Sequence, residues 1–274
     1  MHISKSIDIS HKTLSGLPRT LLMTLKARAE ENERANRIIH DPISAEWFRR
    51  MNPDDETERS INVMYSPVFQ LASAIRSQIY DSIAKGFFSS HDSPAIVELG
   101  AGVSTRYYRV PLQSCRWYEL DLPEAIEFRQ LLETKNANHH YLPYSMDDPT
   151  WVEALDNLLP QNILFIAEGV LFFLPPETVN RLFQLLHTSF RGAAFAFDVI
   201  SSSFSPKARD RFTANDAPMQ WLIRDESELE DFDIDIRDMT VLTHRYLPRW
   251  EELGFNVRKL LNTRGNILFN STVV

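Results

Sequence analysis

From Pro94 onward the chain alternates short apolar runs with amphipathic segments, and no other feature limits its fold as tightly. "AIVEL" (Ala95 to Leu99) reads as a buried strand, "CRWYELD" as a second, "HHYLPYS" as a third, "NILFIAEG" as a fourth and "GAAFAFDV" as a fifth. Between them, "STRYYRV", "PEAIEFRQLLETK", "DPTWVEALDNLL" and "PPETVNRLFQLLHTSF" read as helices. The last of these places Val179, Leu182, Phe183 and Leu186 on one face. Strands and helices in turn argue for an α/β fold, a doubly wound, Rossmann-like parallel sheet with helices on both faces.

The residues before that alternation read as helical. "RTLLMTLKARAEENERA" starts apolar and ends charged, and "DPISAEWFRRM" opens with Asp41 and Pro42, a cap and first-turn pair. "SPVFQLASAIRSQIYDSIAKGF" sets Val68, Leu71, Ala72, Ile75, Ile79 and Ile83 at helical spacing. "NPDDETERSINVMY" reads as a polar connection. After the fifth strand, residues 201–238 are irregular and acidic, either a lid or a solvated excursion. "TVLTHRY", "LPRWEELGF", "NVRKLLNT" and "NILFNSTVV" then read as strand, helix, strand and strand. The last two close the sheet as an antiparallel hairpin around Arg264 and Gly265.

In such a sheet a ligand lies beyond the carboxyl ends of the strands, where the strand order reverses. The turn there reads Gly100-Ala101-Gly102-Val103-Ser104-Thr105. A dinucleotide site wants G-x-G-x-x-G, and Thr105 stands at the third glycine position. Glu98, two residues before Gly100, would repel a pyrophosphate but suits a cation. S-adenosyl-L-methionine carries an ammonium and a sulfonium and no phosphate, so the turn favours it over NAD. Asp121 closes the second strand about twenty residues on, where an acid accepts hydrogen bonds from ribose hydroxyls. Glu168 closes the fourth strand at the same edge, completing a ring of three strand-end carboxylates with Glu98 and Asp121.

Composition narrows the partners. A net charge of −8 repels phosphate backbones, so nucleic acid is not expected. The single cysteine, Cys115, excludes an internal disulfide and a cysteine-cluster metal site, and suits a reducing cytoplasm. No apolar run approaches a bilayer span, the first residues lack the apolar core of a signal peptide, and His, Asp and Glu show no metal-ligand spacing. A small-molecule acceptor, no membrane, no metal, and a monomer or homodimer in the cytoplasm are the expectations.

"VELGAGVSTRYYRV", "WYELDLPEAIEFRQLL", "PYSMDDPTWVEAL" and "AEGVLFFLPPETVNRLFQLL" together resemble the leucine carboxyl methyltransferase family, in particular its bacterial branch, the tetracenomycin polyketide-type O-methyltransferases. The resemblance covers about Arg19 to Asp198. It implies a class I methyltransferase using S-adenosyl-L-methionine, with a seven-stranded sheet. A helical cap would span residues 1–90, and the cofactor-binding domain residues 91–274, with a lid-like insertion at about 201–238. Gly100 and Gly102, with Ala101 between them, would line the methionine part of the cofactor. Asp121, with Leu122 beside it, would hold the ribose, and Ser145, Met146 and Asp147 would border the adenine. Glu168 and Gly169 would lie by the methionine ammonium and the substrate mouth. Arg76 falls where the family carries an arginine that meets a carboxylate. The branch usually reads Gly-x-Gly-x-Asp-Thr-Arg, and here Ser104 replaces that aspartate.

Methyl transfer from a sulfonium is an in-line displacement that chiefly requires alignment and exclusion of water. A carboxylate acceptor needs cations to position it, for which Arg76, Arg106 and Arg109 are candidates. A phenol or alcohol needs a base, for which His244 and His140 are candidates. His139 and His140 read first as a polar strand start, Arg109 as a surface residue, and Phe172 and Phe173 as pocket wall or plain core. One of Tyr107 and Tyr108 packs and the other faces the pocket. Two rivals remain: a protein C-terminal carboxyl methyltransferase, and a catalytically silent relative that only binds.

Overall fold

The structure is a computed structural model that describes residues 19–51, 55–110, 112, 115–133 and 137–274. The signal-peptide reading falls on the first 18 residues and lies outside the described ones. Eight strands form one sheet: β1 (Ala95–Leu99), β2 (Arg116–Asp121), β3 (His139–Pro143), β4 (Ile163–Ala167), β5 (Ala194–Ser201), β6 (Leu222–Ile223), β7 (Ile234–Val241) and β8 (Asn266–Val273). Their order is β3-β2-β1-β4-β5-β8-β7, with the two-residue β6 beside β5. β1 to β5 run parallel, β8 is antiparallel to β5, and β7 is antiparallel to β8. The order reverses between β1 and β4, so the loops that follow them part and leave a crevice.

Ten α-helices accompany the sheet among the described residues: α1 (Arg19–Asn32), α2 (Pro42–Met51), α3 (Asp55–Met64), α4 (Pro67–Ser90), α5 (Arg106–Arg109), α6 (Pro123–Leu132), α7 (Pro176–Ser189), α8 (Pro206–Thr213), α9 (Leu247–Glu252) and α10 (Val257–Leu260). Side chains alternate across β1 because successive residues of a strand face opposite ways. Ala95, Val97 and Leu99 join one core, where α7 buries Val179, Leu182, Phe183 and Leu186. Ile96 joins the other, where α4 buries Leu71, Ile75, Ile79 and Tyr80. A third cluster packs Leu22, Trp47, Met51 and Ile61 of the first three helices onto Phe128 and Leu132 of α6.

Several local expectations change. The "polar connection" is the helix α3, held by Ile61 and Met64, its two buried apolar side chains. Val68 is 40% exposed and lines the crevice rather than the core. Pro149–Leu155 is a 3₁₀ helix, not an α-helix. Residues 201–238 are not irregular, since they hold α8, β6, a 3₁₀ turn and the start of β7. β7 lies at the sheet edge with both faces largely exposed, and a register slip at Ile236/Asp238 breaks its alternation. "NVRKLLNT" is the helical turn α10, capped by the Asn256 side chain on the Lys259 amide, so β8 finds its antiparallel neighbours in β5 and β7 and not in a hairpin around Arg264 and Gly265.

Candidate active site

A cavity of about 1870 Å³ opens beyond the carboxyl ends of β1, β2 and β4. Its inner wall is the turn after β1. Gly100 and Gly102 have φ of +67° and +51°, values that glycine adopts without strain. A Cβ on Gly100 would come within 2.7 Å of Val170 Cγ2, so only a bare backbone fits under the loop after β4. The turn's amides point into the protein. Gly100 and Ala101 N–H donate to the Leu120 carbonyl at 2.8 and 3.1 Å. Gly102 N–H donates to Asp121 Oδ2 at 2.6 Å, and Leu122 N–H to Asp121 Oδ1 at 2.8 Å. A phosphate cradle needs such amides free. Burial raises the Asp121 carboxyl, only partly offset by those two amides. Thr105, at the third glycine position, is buried and donates to Asp41 Oδ2 at 2.5 Å, tying the turn to the cap of α2.

Behind the turn lies a buried lattice of arginines and carboxylates. Arg106, at the start of α5, is fully buried and pairs with Glu98 at 2.9 Å, Asp81 at 2.9 Å, and Glu168. Glu98 therefore does meet a cation, the chain's own Arg106. Arg109 is not a surface residue: it pairs with Asp81 at 2.9 Å and Asp41 at 3.1 Å. Neither Arg106 nor Arg109 lines the cavity. Arg76 does. Its Nε donates to Glu168 Oε1 at 3.3 Å and its Nη1 lies 3.7 Å from Asp198 Oδ2. Burial would push the Glu168 carboxyl up, but Arg106 and Arg76 outweigh it and hold it at about 2.

The remaining expected groups take up their places around the same space. Ser145, Met146 and Asp147 line it together with Glu98, Leu122, Glu168 and Gly169. Ser145 Oγ donates to Asp147 Oδ1 at 2.6 Å, Arg181 pairs with Asp147 Oδ2, and Trp151 Nε1 donates to the Met146 carbonyl. Phe172 and Phe173 line the cavity too, and Phe172 is also core. Across it, Phe173 and Phe69 each approach Phe212 of α8, with centroids 6.1 and 6.5 Å apart.

Other candidates are not brought to the cavity. Leu242 and Thr243 line it but His244 does not. His139 and His140 sit on β3 away from it, and Tyr107 stacks on His139 at 4.1 Å. Tyr108 packs on Trp47 and bonds Glu133, so neither tyrosine faces the cavity. Burial, then Arg129, lowers His139 to about 4. His139, Glu119 and Glu133 approach closely enough to share an ion, but the Arg129 guanidinium already contacts both carboxylates. Burial pushes the Cys115 thiol up to about 12, leaving it inert.

Two residues that the sequence reading missed join the site. Arg28 of α1 lines the cavity and donates to the Val103 carbonyl at 2.6 Å, and burial together with Arg109 lowers it to about 10. Only its place in "LKARAEEN", a basic residue near the buried face of a helix, hinted at it. Asp198 ends "AFAFD" on β5, and no motif marked it.

The sequence profile described as leucine carboxyl methyltransferase matches residues 21–187, more than half the chain. The tetracenomycin polyketide synthesis O-methyltransferase TcmP of Streptomyces glaucescens is 24% identical over 188 residues, spanning 68% of this chain and 67% of that protein. A Mycobacterium sp. (strain JLS) protein, provisionally named an S-adenosyl-L-methionine-dependent methyltransferase, is 28% identical over 257 residues, 86% of this chain and 81% of its own. Among solved structures, a protein of Thermobifida fusca YX, provisionally named a methyltransferase, superposes with a TM-score of 0.61 at 11% identity, covering 86% of this chain and 94% of that one. At that identity the superposition speaks to fold alone. No helix among the described residues is long and apolar enough to cross a membrane.

Proposed function

The chain belongs to the leucine carboxyl methyltransferase family, and from that premise we propose that it transfers a methyl group from S-adenosyl-L-methionine to an oxygen of a small organic acceptor, a carboxylate before a hydroxyl. The observation that carries the reading is the inward-turned glycine loop beneath a cavity of about 1870 Å³. Sites for one small ligand run to about 300–1,000 Å³, so this one has room for cofactor and acceptor together. The bare backbone at Gly100, with its amides already occupied and carboxylates beside it, fits a ligand that is cationic and lacks phosphate.

S-adenosyl-L-methionine supplies an electrophilic methyl group, and the chain's task is placement. Asp121 accepts from the ribose hydroxyls with the lone pairs its two amide donors leave free. Arg76 and Arg28 supply guanidinium donors for the amino-acid carboxylate. Asp147 and Met146 border the adenine. Phe69, Phe173 and Phe212 supply an apolar wall that keeps water from the transfer. No histidine lines the cavity among the described residues. Glu168, held at about 2, is too weak a base to take a proton from an alcohol. An acceptor already anionic at neutral pH, a carboxylate, needs no such base. A free protein C-terminus is the second reading, favoured by the family's description; the aromatic wall favours a smaller guest.

Isothermal titration with S-adenosylhomocysteine tests the cofactor half of the proposal. Wild type is expected to bind in the micromolar range and Asp121→Ala at least about tenfold more weakly, the loss of charge-assisted bonds to the ribose. No binding by folded wild type would overturn it. Turnover on a panel of matched aromatic acids, phenols and short peptides then sorts the acceptor. Binding without turnover on any member would place the chain among silent relatives.

A further inference from the structure

We infer that Asp198 is the positioning residue that aims Arg76 at the amino-acid carboxylate of the cofactor, an inference that rests on the cofactor reading above. Asp198 is fully buried on β5 and lies where three other elements meet. Its Oδ1 accepts from Gly169 N–H at 2.6 Å and from the Tyr80 hydroxyl at 3.0 Å. Its Oδ2 accepts from Asn266 Nδ2 at 2.7 Å and faces Arg76 Nη1 at 3.7 Å. One carboxylate therefore ties the loop after β4, the helix α4 and the strand β8 to a single point.

The tie to Gly169 is also a tie to Arg76. Gly169 has φ of +69°, and a Cβ there would fall 2.7 Å from Arg76 Cζ. The guanidinium thus lies against the bare Gly169 backbone, and fixing that turn fixes the plane of the guanidinium. Glu168 cannot do this alone. Its Oε1 is shared between Arg76 and Ser77, and its Oε2 belongs to Arg106. With Glu168 as sole counter-ion, Arg76 would fold back onto it. Asp198 holds the opposite edge, while Arg76 Nη2 makes no hydrogen bond among the described residues, and Arg76 lines the cavity. A planar fork held on two edges presents its open edge to a carboxylate bidentately.

A purely structural role for Asp198, stapling β5 to α4, would weaken all ligands together. The test compares S-adenosylhomocysteine with 5′-methylthioadenosine, which keeps the adenosine and lacks the amino-acid end, by titration calorimetry on wild type and Asp198→Asn. In the variant the side chain must turn an amide N–H₂ toward either Gly169 N–H or Asn266 Nδ2. The expected result is S-adenosylhomocysteine bound at least about tenfold more weakly, with 5′-methylthioadenosine within about twofold of wild type. Equal weakening of both ligands, or no change in either, overturns the proposal. Should Asp198→Asn fail to fold, Tyr80→Phe removes one donor and spares the carboxylate. It is expected to weaken S-adenosylhomocysteine alone, by about threefold, and equal effects on both ligands again overturn the proposal. Wild type that binds neither ligand would instead overturn the cofactor reading on which this rests.

Discussion

Glu98 on β1 and Glu119 on β2 are register partners in adjacent strands, and both end on a fully buried arginine. From Glu98 the chain of charges runs through Arg106 to Glu168 and on to Arg76 at the cavity wall. From Glu119 it runs to Arg129, Glu133 and His139, none of which lines the cavity. Side by side, one cluster opens and the other is sealed. The pair of charges is the same in both. What differs is whether the last cation in line keeps donors facing a cavity. A buried arginine–carboxylate pair therefore marks a site only at its open end.

The sealed cluster should fail chiefly by stability. Arg129→Met leaves Glu119 and Glu133 buried without their cation, and is expected to cost about 3–5 kcal/mol, read from the urea midpoint. Arg129 Nη1 also donates to the Gly102 carbonyl at 3.0 Å, one bond to the glycine turn, so the folded fraction should lose no more than about threefold in affinity for S-adenosylhomocysteine; a larger loss would break the comparison. Acid should separate the clusters next. Burial holds His139 neutral, with its pKa lowered from 6.5 to about 4. An imidazole whose folded pKa is depressed contributes stability above 6.5 that drains as pH falls toward 4. Glu168 is depressed from 4.5 to about 2, so its contribution is present above 4.5 and drains only as pH falls toward 2. Each is on the order of 3 kcal/mol. The sealed cluster thus yields first, and His139→Asn should flatten the stability slope between pH 6.5 and 4 while leaving the lower window intact. At the open end the order of effects inverts. Arg76→Ala leaves Glu168 with Arg106 and leaves Asp198 with its three hydrogen-bond donors, Gly169, Tyr80 and Asn266, and should cost only about 1–2 kcal/mol of stability while weakening S-adenosylhomocysteine at least about tenfold. A larger stability loss with unchanged binding would make Arg76 part of the scaffold.

The middle of the sheet was legible because β1, β4 and β5 are buried on both faces and so are nearly continuous apolar runs. Asp121 was legible because a strand end and a glycine turn bracket it. β7 was not, since an edge strand exposed on both faces has no apolar rhythm to show. α3 hid behind its charges, with two buried apolar residues among ten. Within the site, Arg76 came from the family pattern and Glu168 from its place after a strand. Arg106 and Arg109 looked free in the sequence because the counter-ion they share, Asp81 on α4, and Arg109's other one, Asp41 at the cap of α2, lie well earlier in the chain, while Glu168 lies well after them. Asp198 and Arg28 are placed by partners that folding brings in, among them Gly169, Tyr80, Asn266 and Arg76 for the one and Val103 and Asp41 for the other. Spacing along a chain carries no record of such meetings.

The contact between Gly169 and Arg76 also governs how this sequence can diverge. Any side chain at position 169 would meet the guanidinium at under 3 Å, in a backbone conformation that side chains seldom tolerate. A descendant that trades this glycine must relocate its arginine in the same step, and one that shortens the arginine removes the steric reason to keep the glycine bare but leaves the φ of +69°. Change is therefore ordered: the arginine can go first, but position 169 cannot gain a side chain while the guanidinium lies against it.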